Sequence, residues 1–163
     1  MKTIQLTQGQ VALVSDEWYD VLNVHKWRAL WDEDTQSYYA VRMSKTKDGK
    51  LVTIYMHAVV AGTPKGMYTD HIDHNGLHNY PDNLRVATPS QNQMNKGIGK
   101  NNTSGFKGVS QHRRKWQAQI QIDGRLEYLG TFPSPALAAV AYDEAATRLF
   151  GEYAVLNFPT ESP

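Results

Sequence analysis

Between Asp70 and Asn95 the chain reads DHIDHNGLHNYPDNLRVATPSQNQMN, and this short span gathers a carboxylate, imidazoles and several amides. An adjacent Asp70-His71 pair opens it, Asn83 follows, and Asn92 and Asn95 close it. Asp and Asn oxygens suit a hard divalent cation such as Mg²⁺, with Mn²⁺ as the alternative. A neutral histidine can take a proton from water near pH 7. Hydrolysis of a phosphodiester needs an activated water and stabilisation of charge on the phosphate and leaving oxygens, and one base with one ion supplies both. On this reading His71 is the general base and Asn92 offers an oxygen to the ion. Asn83 accepts the second ring proton of His71 and so orients it, and Arg85 binds a phosphate. Asp and Asn in Gly- and Pro-rich loops also serve as turn formers, so the arrangement carries the argument and single residues do not. A tri-histidine metal site from His71, His74 and His78 is a weaker alternative, because its spacing needs a helix that Asn75, Gly76 and Pro81 oppose.

The elements that must position these groups follow from patterning. Thr69–Ile72 reads as a short strand carrying Asp70 and His71, which point to opposite sides of an ideal strand. Asn75, Gly76, Pro81 and Asp82 demand an irregular loop, Leu84–Thr88 is a second strand, and Pro89 starts a helix bearing Asn92 and Asn95. Upstream, VALV (11–14), YYAVRM (38–43) and LVTIYM (51–56) are β-branched and aromatic runs separated by turn residues, including Asp48-Gly49. Ser15 or Asp16 caps a short helix through WYDVL. Trp18, Tyr19, Trp27 and Trp31 read as core and platform residues.

Residues 97–105, GIGKNNTSG, read as a linker. Beyond it FKGVSQH, KWQAQIQI and RLEYLGTF are three strand candidates, the middle one alternating cleanly and Asp123-Gly124 turning the second hairpin. Residues 134–150 form an amphipathic helix capped by Ser134, with Pro135 in its first turn and Gly151 at its end. Its expected inner face is Leu137, Val140, Ala141 and Leu149. The expected fold class is therefore α+β, in three parts: a β-rich segment plus the 70–95 motif over residues 1–96, the linker, and a three-stranded antiparallel sheet packed on one helix over 106–163.

Composition sets bounds. A chain of 163 residues buries a genuine core, and the absence of cysteine removes disulfides and thiolate-bound zinc. No segment reaches the ~18 apolar residues of a membrane span, and MKTIQLTQGQ lacks a signal-peptide core. The expectation is a soluble, cytoplasmic protein with no membrane partner. The net charge of +1 is uninformative, but its distribution is not. Lys100, Lys107, Arg113, Arg114, Lys115 and Arg125 face only Asp123 and Glu127 within 100–132, whereas residues 133–163 set Arg148 against Asp143, Glu144, Glu152 and Glu161. A basic strand region beside an acidic helix makes a one-sided footprint.

Two family resemblances rest on these residues. DHI, DNLR and QNQMN resemble the HNH endonuclease family in its asparagine-ending, homing-type form, which implies a ββα-metal core at about 57–96. The resemblance puts His71 in the base position, Asn83 in the central position, and Asp70 with Asn92 as metal ligands; Asn95 is the nearby alternative to Asn92, and Asn79 is assigned to the loop. KGV, KWQAQI, YLGTF, AAVAYDEAATRLFG and AVLNFP resemble the APETALA-type, ethylene-response-factor DNA-binding domain. That implies a sheet laid in the major groove of double-stranded DNA, with Arg113, Arg114, Lys115, Trp116, Gln117, Gln119, Gln121, Arg125 and Tyr128 as contact residues. Ser110, His112, Gln119 and Gln121 depart from the plant pattern, so the plant target does not transfer. The two modules joined to a β-rich extension are similar to phage proteins, which implies the host cytoplasm if the chain is phage-encoded. The implied activity is metal-dependent DNA cleavage at a site addressed by the C-terminal module; the alternative is a non-catalytic DNA-binding regulator with a degenerate nuclease segment. No protein partner is implied, and monomer and homodimer both stay open.

Overall fold

The computed structural model describes residues 1–95, 97–99 and 101–159. Lys96, Lys100 and the C-terminal Thr160–Pro163, including Glu161 of the acidic tail, lie outside the described residues. The α+β class holds, and the chain divides into two compact units, Met1–Pro89 and Ser90–Pro163.

The first unit is built from short strands. β1 (Lys2–Gln5) pairs antiparallel with β2 (Val11–Val14), and α1 (Asp16–Asn23) follows with Ser15 at its N-cap position. β3 (Arg28–Asp32), β4 (Ser37–Lys45) and β5 (Leu51–Tyr55) form an antiparallel sheet in that order. β1 and β3 were not expected from their composition. α2 (Met56–Val60) starts directly at the end of β5, so the apolar run 51–56 is a strand that turns into a helix at Met56. β6 (Tyr68–His71) pairs antiparallel with β8 (Leu84–Ala87). Between them β7 (His78–Asn79) adds a parallel pair to β2, with Val14 opposite Asn79. The core is Ile4, Ala12, Val14, Leu22, Trp27, Ala40, Met56 and Val60, and Leu77 and Leu84 pack against it. Leu77 and Leu84 thus anchor the ends of the 72–83 loop through the same apolar burial that holds the sheets. Trp27 belongs to this core and Trp18 and Tyr19 pack on it, whereas Trp31 is exposed and meets Tyr38 edge-on at 4.9 Å.

α3 (Pro89–Met94) starts at the boundary, and the second unit continues into β9 (Val109–His112), β10 (Lys115–Ile122), β11 (Arg125–Phe132) and α4 (Pro135–Phe150). The strands form an antiparallel sheet with β10 in the centre. Residues 102–105 are tied into this unit: Asn102 Nδ2 donates to Phe106 O at 2.7 Å and Ser104 Oγ to Val109 O at 2.8 Å. α4 begins as its sequence dictates, with Leu137 N donating to Ser134 Oγ at 3.3 Å. Of its expected inner face only Ala141 packs inward. Ala138, Ala139, Tyr142, Ala145, Ala146 and Phe150 are buried, while Leu137, Val140 and Leu149 are exposed. Alanines and larger apolar residues lie on adjacent faces of α4, so its sequence has no single readable stripe, and here the small alanines let it approach the sheet closely. Gly108 marks how closely: a Cβ there would lie 2.0 Å from the Tyr142 ring.

Candidate active site and nucleic-acid interface

His71 ends β6 and is buried, at 5 % exposure. It is walled by aromatics that arrive from distant parts of the first unit. His57, on α2, meets it edge-on at 5.0 Å between ring centroids, and Tyr39, on β4, lies at 5.9 Å. Tyr55 stacks on His57 at 5.1 Å. The cause of this convergence is the strand-to-helix turn at Met56, which carries His57 off the end of β5 beside Tyr39 on the neighbouring strand. Burial pushes the His71 imidazole below the ordinary histidine range, against the Asn79 amide and the Asp73 and Asp70 charges, which push it up. His57 falls further, to about 3, from burial first and from His71 second. Burial likewise raises the Tyr39 phenol. A neutral, desolvated imidazole is the state a proton acceptor needs.

Asp70 precedes His71 on the strand and faces Arg85 across the hairpin, with Arg85 Nε donating to Asp70 Oδ2 at 2.8 Å. Both side chains are largely buried, at 9 % and 14 % side-chain exposure. Arg85 therefore neutralises the carboxylate, where the sequence had suggested a phosphate ligand. Burial of a lone carboxylate is costly, and the guanidinium offsets it.

Asn83 is not on His71. Its Oδ1 accepts Asp73 N at 3.1 Å, and its Nδ2 donates to Asp73 Oδ1 at 2.9 Å and to His78 O at 3.0 Å. The expectation that Asn83 accepts the second ring proton of His71 is corrected: Asn83 knits the loop. Asp73 is the loop's hub, since it also accepts Asn75 N at 2.9 Å and pairs with His78 Nδ1 at 2.5 Å. Burial works against the Asp73 charge, yet these donors hold its carboxyl below the usual range. His78 is thereby engaged in the loop, and among the described residues no group of three His, Cys, Asp or Glu side chains is placed to hold a metal, so the tri-histidine alternative fails.

The residue that does reach His71 is Asn79, fully buried, with Oδ1 3.4 Å from His71 Nε2. Its assignment to the loop alone missed this contact. Gly76 seats the loop on β4: its N donates to Ser37 Oγ at 3.0 Å, and a Cβ would lie 2.5 Å from Tyr38 O and 2.7 Å from the Tyr39 ring. Tyr39, His57 and Asn79 carried no legible signal in the sequence, because each depends on pairings between segments far apart in the chain. Asn92 lies half-buried on α3 and Asn95, just beyond it, is buried.

In the second unit Trp116, Ala118, Ile120 and Ile122 pack toward α4, so strand alternation puts Lys115, Gln117, Gln119 and Gln121 on the opposite face. Cross-strand register adds Ser110 and His112 from β9 and Leu126, Tyr128 and Thr131 from β11. Two expected contact residues fall elsewhere. Trp116 packs against the cluster of Val109, Ala118, Ala138 and Ala139, on the inner side. Arg125 pairs with Ile122 and so has inner-face parity at the hairpin end, although it is exposed. A bulge at Leu129, where Ala118 opposes Gly130 but Gln119 opposes Tyr128, turns Leu129 inward and keeps Tyr128 outward. Arg113 and Arg114 form the β9–β10 turn, and with His112, Lys115 and Thr131 they line a cavity of about 440 Å³. The unopposed cations there favour an anion.

Among the described residues no helix is long and apolar enough to cross a membrane. Comparison with known proteins agrees with the geometry. A family model described as HNH endonuclease matches residues 55–94, which takes in β6, β8, the intervening loop and α3. Uncharacterized HNH endonuclease L560 of Acanthamoeba polyphaga mimivirus is 33 % identical over 150 residues, covering 92 % of this chain and 76 % of that protein. Protein 3.8 of Escherichia phage T7 is 45 % identical over 64 residues, 38 % of this chain and 53 % of that one. The C-terminal part is similar to plant DNA-binding domains; dehydration-responsive element-binding protein 2A of Arabidopsis thaliana is 46 % identical over 67 residues, 39 % of this chain and 20 % of that protein. The chain thus spans about three quarters of the mimivirus relative, about half of the phage one and a fifth of the plant one. The family match over the His71 hairpin and the similarity along nearly the whole chain place this protein in the HNH endonuclease family.

Proposed function

We propose that this chain is a divalent-metal-dependent, homing-type DNA endonuclease, with residues 1–96 carrying the HNH chemistry and the C-terminal sheet module addressing it to a site on double-stranded DNA. The observation that carries the reading is a neutral, desolvated His71 beside a buried Asp70 in the matched hairpin. The oxygen of a water attacks phosphorus while His71 takes its proton; the bond from phosphorus to the leaving oxygen breaks, and that oxygen takes a proton from solvent. The donor set is lean, one carboxylate with amide oxygens, which fits Mg²⁺, an ion that keeps several waters and uses substrate phosphate oxygens; Mn²⁺ is the alternative. Asp70 and Asn92 would hold it, with Asn95 as the substitute for Asn92, and the ion supplies charge stabilisation at the phosphate. Arg85 balances Asp70, and Asn83 fixes the loop through Asp73.

The addressing role rests on the polar sheet face, where Lys115, Arg113 and Arg114 suit phosphates, and Gln117, Gln119, Gln121 and Tyr128 can reach base edges. The test is supercoiled plasmid incubated with Mg²⁺ or with chelator, beside the His71→Ala variant. Metal-dependent conversion to open-circle or linear DNA, lost in the variant while DNA affinity holds, is the expected result. DNA retention in a gel shift without cleavage under any metal would instead make the protein a binding regulator.

A further inference from the structure

We infer that Asn79 is the positioning residue for the nuclease base, and that it fixes His71 as the Nε2–H tautomer so that Nδ1 is the nitrogen that accepts the proton. The inference rests on the assignment of His71 as base and specifies which of its atoms acts.

The argument is one of donors and acceptors. Asn79 Nδ2 lies 3.5 Å from Gly76 O. A peptide carbonyl only accepts, so the amide must turn its NH₂ toward Gly76. The opposite flip would set two carbonyl oxygens against each other. The other end of the same amide, Oδ1, then faces His71 Nε2 at 3.4 Å. An amide oxygen also only accepts, so Nε2 carries the hydrogen, and in the neutral ring the lone pair is left on Nδ1. No described residue bonds Nδ1, and it is not among the buried side-chain polar atoms of the described residues left without a partner, which are Arg42 Nε and His57 Nδ1.

The relay begins outside the hairpin. Gly76, whose carbonyl sets the flip, is pinned to β4 by Ser37 Oγ and by the absence of room for a Cβ against Tyr38 and Tyr39. Asn79 itself is held by the parallel pairing of β7 with β2, opposite Val14. Its side chain is fully buried, so its amide has no solvent alternative. The β-rich N-terminal segment is on this view part of the catalytic apparatus, since Ser37 and Tyr39 order the tautomer of a residue more than thirty positions downstream of them. Hydrogen bonding that fixes the tautomer of a working histidine is worth roughly 10- to 100-fold in activity.

The experiment uses the full-length, metal-free protein with ¹⁵N-labelled histidine. Long-range ¹H–¹⁵N correlation at pH 8 identifies the His71 ring by its disappearance in His71→Gln. The expected pattern is a protonated-type Nε2 and an unprotonated-type Nδ1. Asn79→Leu should erase that preference and lower the DNA-cleavage rate roughly 10-fold or more at unchanged DNA affinity. Asn79→Asp, which keeps an acceptor, should retain the Nε2–H pattern. An Nδ1–H tautomer in the unaltered protein, or a pattern unmoved by Asn79→Leu, overturns the inference. The wild-type spectrum decides the matter even where a variant does not fold. Continued cleavage by His71→Gln would defeat the base assignment instead, and the two failures are read from separate measurements.

Discussion

Replacing Gly76 by alanine tests how tightly the N-terminal sheet holds the nuclease loop. The added Cβ would lie 2.5 Å from Tyr38 O and 2.7 Å from Cδ1 and Cε1 of Tyr39, where ordinary contact begins at 3.4 Å. The loop or the strand must therefore give by about 0.9 Å, the difference between 3.4 and 2.5. One of the obstructing atoms is backbone and cannot swing aside. Overpacking of this kind costs about 1–3 kcal/mol. Glycine-to-alanine exchange otherwise gains about 0.4–1 kcal/mol by restricting the unfolded chain, which leaves a net loss of about 1–2 kcal/mol. At an m-value of roughly 2 kcal/mol per molar urea, the midpoint should fall by about 0.5–1 M. Tryptophan fluorescence reports on the right unit, because Trp18, Trp27 and Trp31 lie in Met1–Pro89. The chemistry should suffer more than the stability. The displaced Tyr39 ring is 5.9 Å from His71 and 5.6 Å from His57, and Gly76 O orients Asn79. A misplacement near 1 Å at a reacting group costs about 100-fold. A urea midpoint unchanged or raised, together with DNA cleavage within about twofold of wild type, would refute the claim that β4 positions the base, since no effect of this size would then reach it.

Three further outcomes follow from other parts of the structure. His57 has a folded pKa of about 3 against ~6.5 unfolded, so between those values the unfolded chain binds the extra proton and stability falls on acidification. Its contribution is complete above about pH 6.5, and lowering pH from about 6 to 4.5 should cost ~2 kcal/mol; His57→Phe should flatten that part of the pH–stability curve, and an unchanged slope would contradict the burial argument. Arg114→Ala, at the cationic turn, should weaken binding to target and non-target DNA alike and reduce the slope of log Kd against log salt by about 1; a loss confined to one sequence would make Arg114 a base reader. Asp143→Ala should destabilise the second unit by about 2–4 kcal/mol in a denaturant titration, because the carboxylate accepts Asn157 N at 2.8 Å, Asn157 Nδ2 at 3.0 Å and Phe158 N at 2.8 Å; an effect below about 0.5 kcal/mol would show those donors satisfied without it.

The sequence alone determined what depends on local spacing and residue type. The DHI…DNLR…QNQMN motif, the alternation of Trp116 to Ile122, the Asp123-Gly124 turn and the Ser134-Pro135 start of α4 are each read within a few residues, because period-2 exposure, turn dihedrals and capping are short-range physics. That was enough for fold class, family and the candidate base. Tertiary structure decided the surroundings of that base. Asn83 and Asn79 are indistinguishable as amides in a polar loop; only the pairing of β7 with β2 carries Asn79 to His71 and leaves Asn83 on Asp73. Tyr39 and His57 stand far from the motif in sequence and meet it only because β4, β5 and α2 fold against the hairpin. Arg85 has the charge for a phosphate, but register sets it opposite Asp70, and burial of that carboxylate claims the guanidinium. The packed face of α4 was likewise undecidable from a helix whose alanines and larger apolar residues lie on adjacent faces, until the sheet selected its alanines. Which polar group pairs with which is a long-range question, and desolvation enforces the answer only once the segments have met.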